Sequence, residues 1–169
     1  GFSGCLTGSL LDTSCPLVVN ATKINASGYS IGDLEGVQYF TNLDSLIVSG
    51  GMLTSLPTLP NSIHHLAITY SNLQSIAEFP PYLTYLNLSN NQLISVPSFP
   101  NSLYTIDVSN NNLASIPALP SSLTNLNASD NSLTEIPTLP SGVIELYVNY
   151  NDLGQLPDLP NGLSTLACN

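Results

Sequence analysis

Six apolar columns recur every twenty residues along this chain, and no other property restricts its fold as tightly. Ile63, Leu83, Leu103, Leu123, Val143 and Leu163 form one column, which Leu43 extends backwards. A second lies three residues on, running from Leu46 through Leu66, Leu86, Ile106, Leu126 and Leu146 to Leu166. Two residues later come Val48, Ile68, Leu88, Val108, Ala128, Val148 and Cys168. Leu53, Leu56 and Leu59 head the remaining three columns. Chance does not hold such a register over the length of a chain, so each repeat is one structural unit stacked on the next.

The spacing inside a repeat says what the unit is. From the second column to the third, residues alternate apolar, variable, apolar, which is the period of a short strand. A strand this short cannot stand alone, and pairing with its counterpart in the next repeat gives a parallel sheet. "SNN", "SDN" or "NYN" follows the strands and turns the chain. Asn91, Asn111, Asn131 and Asn151 share one position there, where their amides can satisfy buried backbone groups. The return path carries "IPALP" or "LPDLP". Proline removes backbone donors and fixes φ, so the return is extended or polyproline-like, not helical. The expected fold is a β-rich solenoid with a parallel sheet on one side.

Charge excludes whole classes of partner. Only 7% of the residues are charged, against about a quarter in ordinary domains. Lys23 is the single basic side chain and the formal net charge is -10. Nucleic acid and anionic membrane both require clustered Lys and Arg, so neither is an expected partner. No apolar run is long enough to span a bilayer, so membrane insertion is not expected either. The opening "GFSGCLTGS" lacks a basic start and a signal-like apolar run, so an exported protein with this start would have lost its targeting segment. Cys5 and Cys15 lie close together ahead of the repeats. A bridge between them would stabilise the fold by about 2.5–3 kcal/mol, and an extracellular setting favours it over two free thiols. Cys168 falls in an inward column, where a buried small apolar residue is expected.

The repeat matches L-x-x-L-x-L-x-x-N-x-L and resembles the leucine-rich repeat. Its "LPxLPxSL" return is similar to the bacterial LPxLP subtype, found in secreted effectors of enteric pathogens and in surface proteins of Bacteroidota-like bacteria. The resemblance covers Ala21 to Asn169 and implies a right-handed horseshoe whose strands line a concave face. Residues 1–20 are then expected to cap the solenoid, and 21–169 to form the repeats. The first repeat is 22 residues long, the later ones are 20, and the last is incomplete at "LSTLACN". That stop reads as a piece of a longer chain. "LEGVQYFTNL" in the first repeat resembles internalin-type repeats, which place a short 3-10 or α-helical turn on the convex side. Tyr29, Gly51 and Ser71 replace the asparagine early on, and Ala77 replaces a proline, so the early coils are expected to be less regular.

In this fold the variable strand positions face the concave side. They read as polar, uncharged to acidic and dotted with tyrosines, a composition suited to recognition because tyrosine combines contact area, low entropy cost and a hydroxyl. The candidate binding residues are His65, Tyr85, Tyr104, Asp107, Glu145, Tyr147 and Tyr150. Catalysis is not expected. Asp44, Ser45, His64, His65 and Tyr85 are brought near one another, but adjacent strand residues point opposite ways, and there is no nucleophile elbow or oxyanion-hole signature. Zinc-type spacing is absent, and Asp107, Asp130, Glu145 and Asp152 do not form a dense calcium loop, so no cofactor is expected. Sequon matches at Asn20, Asn25, Asn87 and Asn127, and "DSL" at Asp44, arise readily by accident in an Asn/Ser-rich repeat. The expected function is that of a non-enzymatic binding module, exported or on a bacterial cell surface, that takes a protein or glycan on its concave face. The alternatives are a structural component of a larger surface complex and the substrate-recruiting repeats of a secreted effector.

Overall fold

A computed structural model describes residues 6–7, 10–11 and 14–169. Leu6–Thr7 (β1) and Leu10–Leu11 (β2) pair antiparallel. A one-turn helix, Pro16–Val19 (α1), starts on a proline, whose missing N–H a helix start does not need, and buries Val18. Lys23–Asn25 (β3) follows, then a 3-10 turn at Val37–Tyr39. Seven strands come next: Ser45–Ser49 (β4), His65–Thr69 (β5), Tyr85–Asn87 (β6), Thr105–Asp107 (β7), Asn125–Asn127 (β8), Glu145–Tyr147 (β9) and Thr165–Ala167 (β10). From β3 to β10 they form one parallel sheet in chain order, the topology of a solenoid.

The repeat register is the sheet register. Leu46 lies opposite Leu66, Leu66 opposite Leu86, and Leu86 opposite Ile106. This puts each inward column in a continuous ladder, and Leu43, Leu46, Val48 and Leu53 are fully buried, as are most of their counterparts up to Val143 and Leu146. From β4 onward the return side has no helix and runs without regular structure up to a turn that re-enters the sheet. At that turn the Pro120 carbonyl accepts from the Leu123 N–H at 3.0 Å, and the same bond recurs in neighbouring coils. The serine beside it ties one coil to the previous one: Ser102 and Ser122 donate to the Leu83 and Leu103 carbonyls, each at 2.6 Å.

The asparagine ladder does what its chemistry allows. Asn111 Oδ1 accepts from the Leu93 N–H at 3.0 Å, while its Nδ2 donates towards the carbonyls of Leu88 (3.0 Å) and Val108 (3.1 Å). Asn91 also reaches Leu88 O at 2.9 Å, and Asn131 also reaches Val108 O at 3.0 Å. Each of these carbonyls is therefore shared by asparagines of two successive coils.

Several expectations change on contact with the structure. The early coils do depart from the later ones, but by longer pairing: β4 and β5 hold five registered residue pairs, from Ser45 and His65 to Ser49 and Thr69, where β6 to β9 have three-residue strands. Gly51 takes the ladder position because a Cβ there would sit 2.8 Å from the Ile31 carbonyl, which already accepts from Met52. Cys168 is exposed rather than buried, and Leu166, on the last described strand, is 39% exposed. The 3-10 turn at Val37–Tyr39 falls inside the segment where one was expected. Cys5 lies outside the described residues, as does much of the expected cap at 1–20, so its pairing with Cys15 is not described; Cys15 packs against the core. Among the described residues no helix is long and apolar enough to cross a membrane.

Candidate binding face of the sheet

On each strand from β6 to β9 two half-buried side chains flank a buried apolar residue, so the exposed sheet face there consists of two columns. One column runs His65, Tyr85, Thr105, Asn125, Glu145, and the other Ala67, Asn87, Asp107, Asn127, Tyr147. A cavity of ≈ 220 Å³ opens on this face over β6 to β9. Tyr85 and Tyr147 stand at opposite ends, on strands three steps or about 14 Å apart. Asp107 and Glu145 supply its carboxylates, and Thr105, Asn125 and Asn127 complete the polar lining.

These groups are held in place. His65 stacks on Tyr85 with ring centroids 4.2 Å apart and planes 2° from parallel, bracing that wall. Burial pushes the His65 imidazole below its ordinary value; Lys23 pushes it the same way, and Asp44 opposes them. Asp107 Oδ1 accepts from the Ser109 N–H at 3.0 Å and from its hydroxyl at 2.6 Å. Asn87 and Asn127 make the corresponding bond to Ser89 and Ser129, so the local turn is built for an Asx residue. Asn125 donates Nδ2–H to Glu145 Oε2 at 2.7 Å, drawing Glu145 towards β8 and hence towards Asp107. Asp107 Oδ2 and Glu145 Oε1 accept from no protein donor among the described residues.

Four of the seven expected binding residues thus line one cavity, and His65 braces one of the four, Tyr85. Tyr104 and Tyr150 do not join them. Tyr104 stands one residue before β7, where successive coils make a small bulge: the Thr84 carbonyl accepts from both Tyr104 and Thr105 N–H groups. Its side chain is exposed outside the cavity lining. Tyr150 leaves β9 in a left-handed turn, φ 52°, with its ring 70% exposed. Asn90, Asn110 and Asp130 hold that left-handed position elsewhere at lower conformational cost, and Tyr70 (φ 50°) is the other aromatic exception. Thr105, Asn125 and Asn127 were not singled out from sequence, although they share columns with residues that were.

The histidines serve different partners, as strand alternation requires. His64 Nδ1 bonds Asp44 Oδ1 at 2.8 Å and its ring lies near Tyr82, whereas His65 faces Tyr85. Among the described residues no hydroxyl or thiol hydrogen-bonds to either imidazole. Among the described residues no group of three or more His, Cys, Asp or Glu could hold a metal ion.

Comparison with known proteins agrees with this architecture. Residues 82–103 match the Leucine Rich Repeat family. YopM, a leucine-rich effector protein from Yersinia pestis, shares 37% identity over 90% of this chain and 44% of its own, with a TM-score of 0.83. YopM from Yersinia enterocolitica WA-314 shares 34% over 76% of this chain and 33% of its own, with a TM-score of 0.66. A Shigella effector leucine-rich repeat domain shares 31% over 84% of this chain and 64% of its own, with a TM-score of 0.77. The chain thus spans 33%, 44% and 64% of those three proteins. No curated protein sequence matches it. The chain has the leucine-rich repeat fold and is similar to the repeat regions of effector proteins from pathogenic bacteria.

Proposed function

We propose that this chain is the non-catalytic binding module of an exported bacterial protein, working outside the cell or at the bacterial surface, and that its concave face recognises a protein or glycan. The observation that carries the reading is the cavity between Tyr85 and Tyr147, where aromatic walls flank fixed polar groups on a rigid sheet. Residues 1–20 serve as its N-terminal cap, closed by a Cys5–Cys15 bridge. The "LPxLP" returns support membership of the LPxLP subtype, and a surface protein of a Bacteroidota-like bacterium is the reading we favour. Its similarity to Yersinia and Shigella effectors supports a second reading, in which the repeats recruit a target for the remainder of a secreted effector. A role as a fixed component of a larger complex would place the contacts away from this cavity instead.

The test is a screen of immobilised proteins and glycans with the wild-type chain, followed by the Tyr85→Ala/Tyr147→Ala variant against every hit. Truncating interface anchors costs about 2 kcal/mol or more, so binding should fall at least tenfold while the urea midpoint stays close to wild type. Tyr104→Ala, outside the cavity, should bind normally. Hits that bind the folded double variant as well as wild type would remove the concave-face reading.

A further inference from the structure

We infer that the cavity between β6 and β9 is a receptor for a single cationic side chain, an arginine projecting from a protein partner. The inference rests on the concave-face reading above and names the chemistry of its ligand. Size comes first. At ≈ 220 Å³ the cavity is smaller than the about 300–1,000 Å³ of sites that enclose small molecules. It suits one long side chain entering from above, not an enclosed oligosaccharide.

Charge decides which side chain. Asp107 and Glu145 both line the cavity, and each offers one oxygen that accepts from no protein donor among the described residues. The sole basic residue, Lys23, lies on β3, three strand steps or about 14 Å from β6, beyond a Debye length of about 8 Å at physiological salt. The carboxylates therefore have no internal cation to neutralise them, and the net charge of -10 favours approach of a positive partner. An uncharged ligand would have to desolvate both carboxylates without charge compensation.

Shape then favours arginine over lysine. A planar guanidinium can lie on a tyrosine ring and direct separate N–H groups at two carboxylates, whereas an ammonium is a compact point charge. Tyr85, already stacked on His65, gives a braced ring face, and Tyr147 adds a second on the carboxylate side of β9. Asn125 fixes Glu145 and Ser109 fixes Asp107, so little side-chain entropy remains to be lost on binding.

The experiment uses the chain as it stands and a capped heptapeptide with one arginine among glycines and serines. A matched peptide carries citrulline, the neutral isostere, in its place. Amide shifts in an NMR titration should map the arginine peptide to β6–β9, with at least fivefold weaker binding of the citrulline peptide. Asp107→Asn/Glu145→Gln should reduce arginine binding at least fivefold and remove most of its salt dependence. That variant keeps the turn, since Asn87 and Asn127 already occupy Asp107's position in neighbouring coils. Equal binding of both peptides, or full arginine binding by the neutralised variant, would overturn the inference. A neutral partner that still required Tyr85 and Tyr147 would overturn the arginine assignment and leave the concave-face reading standing. Binding indifferent to the tyrosines would remove both.

Discussion

Sharing of carbonyls along the asparagine ladder leads to a prediction about coupling. The Leu88 carbonyl receives amide hydrogens from Asn91 at 2.9 Å and from Asn111 at 3.0 Å. Replacing Asn111 by alanine orphans the Leu93 N–H, which it alone accepts from, but Leu88 O keeps Asn91 and Val108 O keeps Asn131. One buried unsatisfied donor costs about 1–3 kcal/mol, so the single variant should lose about 2 kcal/mol. Asn91→Ala should cost more, about 3 kcal/mol, because it orphans the Leu73 N–H and also removes the only asparagine on the Ile68 carbonyl, the preceding ladder position being Ser71. Only the double variant strips Leu88 O of both asparagines. Its cost should exceed the sum of the singles by about 1 kcal/mol or more, the penalty of a newly orphaned acceptor. Asn91 and Asn131 share no carbonyl, so their double variant should be additive to within about 0.5 kcal/mol. Urea unfolding followed by two probes, with coincident curves and equal slopes, gives the four free energies. An additive Asn91/Asn111 pair would refute the sharing argument.

Two further outcomes follow from burial and charge. Leu113 is fully buried, and Leu113→Ala should destabilise by about 2–5 kcal/mol in urea unfolding; a cost near zero would mean the column does not face the core. His65 is held below its unfolded value by burial first and Lys23 second, so the unfolded chain takes up a proton before the folded one does. Its contribution is fully present above the unfolded value of about 6.5 and is lost as pH falls towards the lowered folded value. His65→Gln should therefore flatten the fall in stability between about pH 7.5 and 5.5, measured by thermal melts of both proteins.

The backbone was legible because one physical rule, burial of an apolar face by stacking, writes itself into every coil. Strand positions, the parallel order and the asparagine role follow from alternation and from the amide's ability to accept and donate at once. Cys168 shares an inward column yet is exposed in the last described coil, which its position in the repeat does not report. Tyr104 looked like a neighbour of Tyr85 and Tyr147, but the bulge that starts each strand sets its side chain apart from the cavity. Gly51 could be seen as a gap in the ladder, whereas its cause, the Ile31 carbonyl twenty residues earlier, needed the path of the longer first repeat. Asn125's hold on Glu145 was equally out of reach, since a cross-strand bond between two variable positions leaves no periodic trace.

The uniform twenty-residue register gives this sheet the character of a ruler. The recurring main-chain bonds that join the later coils link equivalent places in adjacent turns, so deleting or inserting one whole repeat restores that main-chain set at the new junction. Such a change would move Tyr85 and Tyr147 apart or together by one strand step, about 4.8 Å, without disturbing either ring's own coil. The spacing between recognition groups is therefore quantised, and a lineage of such proteins could explore ligand dimensions by gaining and losing repeats, a route closed to a globular domain whose core would have to be rebuilt each time.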